Sequence, residues 1–307
     1  MHSIEASWRE SAAKLNDTSW VTLFGYAYAA SFTVMLLSMA LPAQWREATK
    51  GLPLVLPLLF LVAKDLAQIP DVAIRLRTLR AQGANPLRLL AACLPPGVIG
   101  MVRLDRAIWR GFFCWLRRQP QPARPGGVQL GFQAQGAYST VIAIGLFAVL
   151  VELPLDAAIL PLFLKDPDEL RTIHLLLGLG SLYSLVWLLG DRWLVRGSCH
   201  VLTDTHLDLQ VGARASARIP LGGVEHAQLL RDSVDAWRKA HPCRLMERVS
   251  ITPFDKPNLV LTLRADAGCA IVHHGVVRSG VRYVFLYLDR PQQLIAALDA
   301  RQEPGKS

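Results

Sequence analysis

Two carboxylates and a histidine in or beside long apolar segments are the most chemically suggestive residues of this 307-residue chain. Glu152 and Asp156 are four residues apart in GAYSTVIAIGLFAVLVELPLD, so a helix places both on one face, about 6 Å apart. Acids within an apolar span are costly and indicate a function by default, such as a cation site or a proton relay with His174. A rise of about 1.5 Å per residue from Gly136 places them about 24 and 30 Å across a bilayer. The alternative is therefore a pair of interfacial acids satisfied by water, His174 or Arg171.

A second group of residues mixes arginine with aromatic side chains in RLDRAIWRGFFCWLRR, residues 103–118. This mixture is typical of a helix in the inner headgroup layer, where aromatic rings meet acyl chains and arginines meet anionic lipid. A helix packed against other helices or against the soluble domain is the equal alternative. The residues of the lipid-facing belt that we predict are Arg106, Trp109, Arg110, Phe113 and Arg117.

Signatures of known enzyme chemistry are absent from the sequence: it contains no P-loop, GxSxG, dinucleotide or kinase motif. The pair His273-His274 suggests a metal site, but no other ligand spacing accompanies it, and neighbours on a strand point to opposite faces. We expect surface or turn histidines there. Gly212, Arg214 and Arg218 near a turn could meet lipid phosphates, but a solvated hairpin is the simpler interpretation. The sequence therefore predicts no catalytic residue, no cofactor and no metal.

The elements that hold these residues are long apolar runs. The first, residues 20–41, carries no charge, and its 22 residues reach about 33 Å, enough to cross a hydrocarbon core of about 30 Å. A cleaved signal peptide is the alternative, but the run is long and its leading segment is not clearly basic, so we expect it to be retained. The four predicted transmembrane helices cover about 20–41, 50–69, 136–156 and 172–190.

The formal net charge of +9 is unevenly distributed along the chain, and this distribution explains why the net charge is positive. Residues 64–128 carry eleven Lys or Arg against three Asp or Glu, whereas residues 129–191 carry two against six. Cytoplasmic loops of membrane proteins collect basic residues, so the pattern places 71–127 and both termini in the cytoplasm and the acidic 165–171 loop outside. Membrane topology therefore explains the charge without nucleic-acid binding.

Beyond residue 191 the pattern changes to short stretches in which every second residue is apolar. Turn sequences such as VGARAS and PLGG separate them, which predicts strands and hairpins. Asp289 could cap a final helix that begins after Pro291. The fold class that we predict is α+β: a membrane domain and a small antiparallel β-barrel or sandwich closed by one helix. The predicted strands are 200–203, 207–211, 217–219, 224–230, 259–263, 270–272 and 282–288.

The order of these motifs resembles uncharacterised bacterial inner-membrane proteins that carry a pleckstrin-homology-like (bPH-type) cytoplasmic domain. The motifs are GDRW at the end of the last apolar run, then VLTDTHLDLQVGARASARIPLGGVEHAQLL, then RYVFLYLDRPQQLIAAL. The resemblance covers about residues 136–300 and implies no catalytic residues. Residues 232–256 depart from a simple hairpin layout. The predicted division is a cytoplasmic N-terminus (1–17), a membrane domain (18–191), a PH-like domain (192–301) and a tail (302–307).

Two functions are open at this point. The first is a non-enzymatic scaffold, assembly or regulatory factor of the bacterial inner membrane, whose PH-like domain binds a protein partner or lipid and whose helices anchor or oligomerise it. Its expected partners are anionic inner-leaflet lipids and a protein or a second copy of the chain, with no nucleic acid. The alternative is a small transporter, channel or intramembrane enzyme that uses Glu152, Asp156 and His174.

Overall fold

The computed structural model describes residues 20–40, 51–52, 55, 59, 62, 69–83, 85–94, 96–121, 123, 126–252 and 254–302. The chain divides into two compact units, Met1–Pro96 and Gly97–Ser307. The predicted cytoplasmic N-terminus and most of the predicted second span, 50–69, lie outside the described residues, as do the last five residues of the tail.

The first unit is helical where it is described. Helix α1 spans Trp20–Ala40 and coincides with the first predicted span. Helix α2 spans Ile69–Ala81 and helix α3 spans Pro86–Cys93, so the basic segment after the second predicted span is largely helical. The second unit begins within helix α4, Pro96–Leu116.

Helices α5, Tyr138–Phe163, and α6, Pro167–Arg196, form an antiparallel pair. Within the part of the chain that the structure describes, these two are long and apolar enough to cross a membrane by length and composition. Both extend beyond the predicted spans 136–156 and 172–190. The connection is only 164–166, because Asp166 caps α6 through the Asp168 N–H at 2.9 Å and Pro167 occupies the first turn.

The remaining elements form two β-sheets and short helices. The larger sheet has the order β1-β2-β3-β4-β8-β9 and the smaller has the order β5-β7-β10-β6. Helix α7, Val234–Ala240, lies in the region that departs from a hairpin layout, and helix α8, Pro291–Gln302, follows the last strand. The strands are β1 Val128–Leu130, β2 His200–Leu202, β3 His206–Val211, β4 Ala215–Pro220, β5 Val224–Leu229, β6 Arg248–Ile251, β7 Leu259–Leu263, β8 Ile271–His273, β9 Val276–Arg278 and β10 Tyr283–Leu286.

The α+β class is therefore confirmed, with two differences in the sheets. All pairs are antiparallel except β6 and β10, which are parallel, in contrast to the purely antiparallel domain that we expected. Strand β1 precedes the helix pair in sequence and pairs with β2 after it, with Val128 opposite Leu202 and Leu130 opposite His200. The helix pair is thus inserted between two neighbouring strands of one sheet, which adds a strand outside the predicted 192–301 domain.

The main core lies between the inner faces of the two sheets and helix α8. Alternation along β4 shows how the sequence produces it, because Ala215, Ala217 and Ile219 are buried while the residues between them are exposed. Leu294 and Leu298 of α8 complete this core. A second cluster around Trp237 of α7 and Phe285 of β10 covers the outer face of the smaller sheet.

Candidate functional site

The junction between the α5/α6 pair and the β domain holds a buried ion pair. Asp191, in the last two turns of α6, is fully buried, and Arg214, in the turn between β3 and β4, is 8% exposed. The guanidinium donates from Nε to Asp191 Oδ1 at 2.9 Å and from Nη2 to Oδ2 at 2.7 Å. This two-pronged geometry is the strongest form of an Arg–carboxylate contact.

A tyrosine and two aromatic rings enclose this pair. The Tyr138 hydroxyl, at the first residue of α5, donates to Asp191 Oδ2 at 2.8 Å. The Phe254 ring stacks on Tyr138, with centroids 5.9 Å apart. The Arg214 guanidinium lies 4.5 Å from the Phe254 centroid and 5.4 Å from that of Trp187, within the range of cation–π attraction. Both helices and the β3–β4 turn therefore meet at one carboxylate.

The junction satisfies a buried charge. A buried carboxylate is very costly unless its charge is paired and its oxygens are hydrogen-bonded. Asp191 meets both conditions with three donated hydrogen bonds from Arg214 and Tyr138. These contacts fix the C-terminal end of α6 in one position on the β domain.

The chain just beyond α6 is held to the sheet by a second set of hydrogen bonds. Ser198 Oγ donates to the Leu194 carbonyl and accepts from the Gly212 N–H, both at 2.8 Å. Gln133 Nε2 donates to the Val195 carbonyl at 2.7 Å and to the Ser198 carbonyl at 3.1 Å. The last turn of α6 therefore joins the sheet through side chains as well as through the ion pair.

The segment before α5 is held by two carboxylates from the β domain. Asp289 accepts from the N–H groups of Ala134 and Gln135 at 3.1 and 2.9 Å, and Asp255 accepts from that of Ala137. Negative charge near a helix N-terminus is favourable because the free N–H groups there carry partial positive charge. The prediction placed Asp289 as a cap of α8, whereas its carboxylate hydrogen-bonds here, at the start of α5.

Helix α4 lies against α6 and against the β8–β9 turn. Gly111 and Gly190 form the crossing point, since a Cβ on Gly111 would lie 2.8 Å from the Gly190 carbonyl oxygen and one on Gly190 would collide with the Ile108 carbonyl. The Tyr183 hydroxyl donates to Asp105 Oδ1 at 2.6 Å. Near the start of α4, Arg103 Nη1 donates to the Gly275 carbonyl at 3.3 Å.

The predicted belt residues occupy the other side of α4. Arg106, Arg110 and Arg117 are exposed, and Phe113 is 44% exposed. Trp109 is half-buried, and its ring lies 6.3 Å from that of Tyr183. One face of α4 therefore packs against the rest of the protein, as the packing alternative predicted. The opposite face exposes arginine and aromatic side chains, as the lipid alternative requires.

The three predicted polar residues of the helix pair do not form a hydrogen-bonded cluster. Glu152 is exposed and accepts from Ser181 Oγ at 3.5 Å, the outer limit for a hydrogen bond. Asp156 Oδ2 and His174 Nε2 are both buried and have no hydrogen-bond partner among the described residues. No group of three or more His, Cys, Asp or Glu among the described residues is arranged to hold a metal ion.

The adjacent histidines lie at the β8–β9 turn. His273 ends β8, whereas His274 has a φ of +48°, so the two rings are not directed to opposite faces as on a regular strand. Their centroids are 4.2 Å apart in an edge-to-face arrangement. Burial, together with the charges of His274 and Arg278, lowers the pKa of His273 to about 3.

A third histidine, His200 of β2, is fully buried in the β domain. Its Nδ1 accepts from the Gln210 N–H at 3.0 Å, and its ring lies 4.8 Å from that of Phe132. Burial lowers the pKa of His200 to about 3. The side chain is therefore neutral at physiological pH and belongs to the core.

A cleft of about 450 Å³ lies on the outer face of the larger sheet, beside the end of α6. Trp193 and Gln121 line it on one side, and Asp208, Ser216 and Arg218 of β3 and β4 line it on the other. Arg218 donates from Nε to Asp208 at 2.9 Å. The cleft therefore combines polar groups with apolar surface.

The junction was not found from the sequence, and Arg214 was predicted on a solvated hairpin. The structure places Arg214 in the interior, because its turn folds back onto Asp191. One signal was present in the sequence: GDRW sets an acid directly after an apolar run, and a charge there needs a partner.

Comparison of the chain with protein-family models, with curated protein sequences and with solved structures gives no match. The class that the fold itself defines is an α+β protein with two helices of membrane-spanning length inserted into a two-sheet domain.

Proposed function

We propose that the protein is a multi-pass protein of the bacterial inner membrane, with about four spans and both termini in the cytoplasm. The surface of α5 and α6 supports insertion into a membrane. In the most apolar 18-residue stretch of each helix, only 11% and 17% is buried, unlike in core helices of soluble proteins. Phe147 and Phe163 are 67% and 77% exposed. The acidic excess of residues 165–171 and the basic excess of residues 64–128 support the orientation.

In this proposal the β domain is a PH-like binding module that acts as a scaffold, assembly or regulatory factor and not as an enzyme. Two sheets followed by a C-terminal helix are consistent with such a domain. The observation that carries the proposal is the Tyr138–Asp191–Arg214 junction, since it holds the domain in one orientation on the helix pair. A fixed orientation presents the cleft beside α6 to a partner at the membrane surface.

A topology experiment tests the membrane assignment. A reporter fused after residue 302 and another inserted at 164–166 are expected to report the cytoplasmic and the outer side, respectively. A C-terminal reporter on the outer side would overturn the orientation, and two reporters on the same side would overturn the crossing of α6.

The binding role is tested by purification of the full chain in detergent and mass spectrometry of the proteins that accompany it. Ser216→Arg fills the cleft from an exposed position on β4, and His226→Arg places the same charge at an exposed position on β5 as a control. We expect Ser216→Arg to lose the specific partner and His226→Arg to retain it. Equal recovery of the partner by both variants would remove the cleft from the proposal.

The second candidate function is an ion or proton pathway through Glu152, Asp156 and His174. Asp156 Oδ2 and His174 Nε2 favour it, because both atoms are buried without a hydrogen-bond partner among the residues that the structure describes, and such atoms within an apolar helix pair are costly. In vesicles loaded with a pH-sensitive dye, the Glu152→Gln/Asp156→Asn variant should then slow proton movement. Identical rates for the variant and the unaltered chain would exclude this candidate.

A further inference from the structure

The exposed side of helix α4 is divided into two stripes. The first stripe is apolar and consists of Val102, Trp109, Phe113 and Leu116. These residues are separated by seven, four and three positions, which places them on one flank of a helix with 3.6 residues per turn. Val102, Phe113 and Leu116 are 64%, 44% and 58% exposed. The neighbouring stripe consists of exposed arginines, namely Arg106, Arg110 and Arg117.

The charge of this helix is one-sided. Residues 96–121 contain five arginines and a single acid, Asp105. That acid accepts a hydrogen bond from Tyr183 at 2.6 Å, so it is directed at α6. The arginine stripe therefore faces outward without an acidic residue of its own helix beside it.

The position of α4 along α6 agrees with a membrane boundary. The helices cross at Gly111 and Gly190, and Gly190 is the last residue of the predicted fourth span. Six residues further, about 9 Å at the helical rise, α6 ends at the exposed Arg196. Trp109 reaches back towards Tyr183, about two helical turns deeper into that span.

We propose that α4 lies in the inner headgroup layer and binds anionic phospholipid, with the apolar stripe among acyl chains and the arginine stripe on lipid phosphates. An apolar flank beside a basic flank is the pattern by which helices lie in a membrane interface. Basic residues at that depth gain from the negative charge of the lipid. This inference rests on the proposed membrane insertion and adds the class of lipid that the second unit recognises.

Quenching of tryptophan fluorescence by brominated lipid tests the proposal on the full chain. The protein is reconstituted in vesicles of equal parts phosphatidylglycerol and phosphatidylcholine, with bromine on the acyl chains of one lipid or of the other. We expect brominated phosphatidylglycerol to quench more strongly, because it concentrates around α4, which holds Trp109 and the 43% exposed Trp115. The excess should fall in 1 M salt, where charges are screened beyond about 3 Å.

Two triple variants separate the arginine stripe from general charge. Arg106→Gln/Arg110→Gln/Arg117→Gln should lose the preference for phosphatidylglycerol, by about fivefold or more, since each arginine near an anionic surface contributes about that factor. The control, Arg231→Gln/Arg264→Gln/Arg290→Gln, removes three exposed arginines outside α4 and should keep the preference.

The outcomes distinguish this proposal from the one on which it rests. Equal quenching by the two brominated lipids in the unaltered chain would overturn the lipid surface while leaving membrane insertion intact. Loss of the preference in both triple variants would also overturn it. Absence of quenching by either lipid would instead refute the proposed membrane insertion.

Discussion

Replacement of Asp191 by alanine perturbs the junction most directly. The change removes the carboxylate that accepts two hydrogen bonds from Arg214 and one from Tyr138, and leaves an arginine that is 8% exposed without its counter-ion. Breaking a buried ion pair by removing one partner costs about 3–5 kcal/mol, because the remaining charge stays buried and uncompensated. For a unit of this size, each kcal/mol lowers the melting temperature by about 2–4 °C. We therefore expect a fall of about 6–20 °C.

The assay is thermal unfolding of the detergent-solubilised full chain, followed by tryptophan fluorescence. Arg218→Gln is the matched control, because Arg218 also pairs with an aspartate but its side chain is 73% exposed. Exposed pairs contribute about 0–1 kcal/mol, so this variant should melt within a few degrees of the unaltered protein. Tyr138→Phe should be intermediate, since it removes one hydrogen bond to a charged group, worth about 1.5–3 kcal/mol.

A double substitution refines the argument. Asp191→Leu/Arg214→Met removes both charges, so no unpaired ion remains, and its stability should recover much of the loss seen in Asp191→Ala. If Asp191→Ala melted together with Arg218→Gln, the ion pair would not be holding the helix pair to the β domain, and the reasoning would be refuted.

Three further predictions concern the contact between α4 and α6, the buried His200, and the contribution of the segment around β1 to the β domain. Gly190→Ala should destabilise the protein by about 1–3 kcal/mol in the same melting assay, because its methyl group collides with the Ile108 carbonyl; Gly178→Ala, with open space around it, should be neutral. His200 has a folded-state pKa of about 3, below its ordinary 6.5, so the unfolded chain binds the proton first and stability falls as pH drops from about 6.5 towards 3. At about pH 5 the free energy of unfolding should be about 2 kcal/mol lower than at neutral pH because of His200. Melting experiments at about pH 7 and pH 5 should show a smaller pH dependence for a His200→Gln variant. A fragment of residues 192–302 lacks Leu130 and Phe132, and burial of each side chain stabilises the domain by about 1.5–3 kcal/mol. This fragment should therefore unfold at a lower temperature than a fragment of 126–302 in which a short linker replaces residues 139–189.

The parts of the fold that follow from periodicity could be predicted from the sequence. Apolar alternation identified β3, β4 and β7, and the unbroken apolar runs identified α5 and α6, because in both cases the apolar pattern is a property of the segment itself. The boundaries of α5 and α6 were less accurate. Asp166 and Pro167 are a start signal for α6 that lies within the charged segment we assigned to a loop.

Features that depend on distant partners could not be predicted. Strand β1 has only three residues, too few for alternation to identify it, and its place in the sheet comes from β2, which follows the entire helix pair. The parallel pairing of β6 with β10 depends in the same way on where the chain returns after the α7 region. In the candidate site, the local sequence marks Asp191 as a charge that needs a partner, but only the folded β3–β4 turn makes Arg214 that partner.

The insertion of α5 and α6 between β1 and β2 explains why a buried ion pair is placed at this junction. The two helix ends must enter the sheet side by side, because Leu130 and His200 are opposite each other in the register of β1 and β2. Apolar contacts alone tolerate rotation of a helix about its axis, since many rotamers fill similar space. A carboxylate that needs three donors from two other elements is satisfied in one rotation only, because any other leaves a buried charge unpaired. The pair therefore contributes less to net stability than to the choice of a single orientation of the helix pair on the β domain.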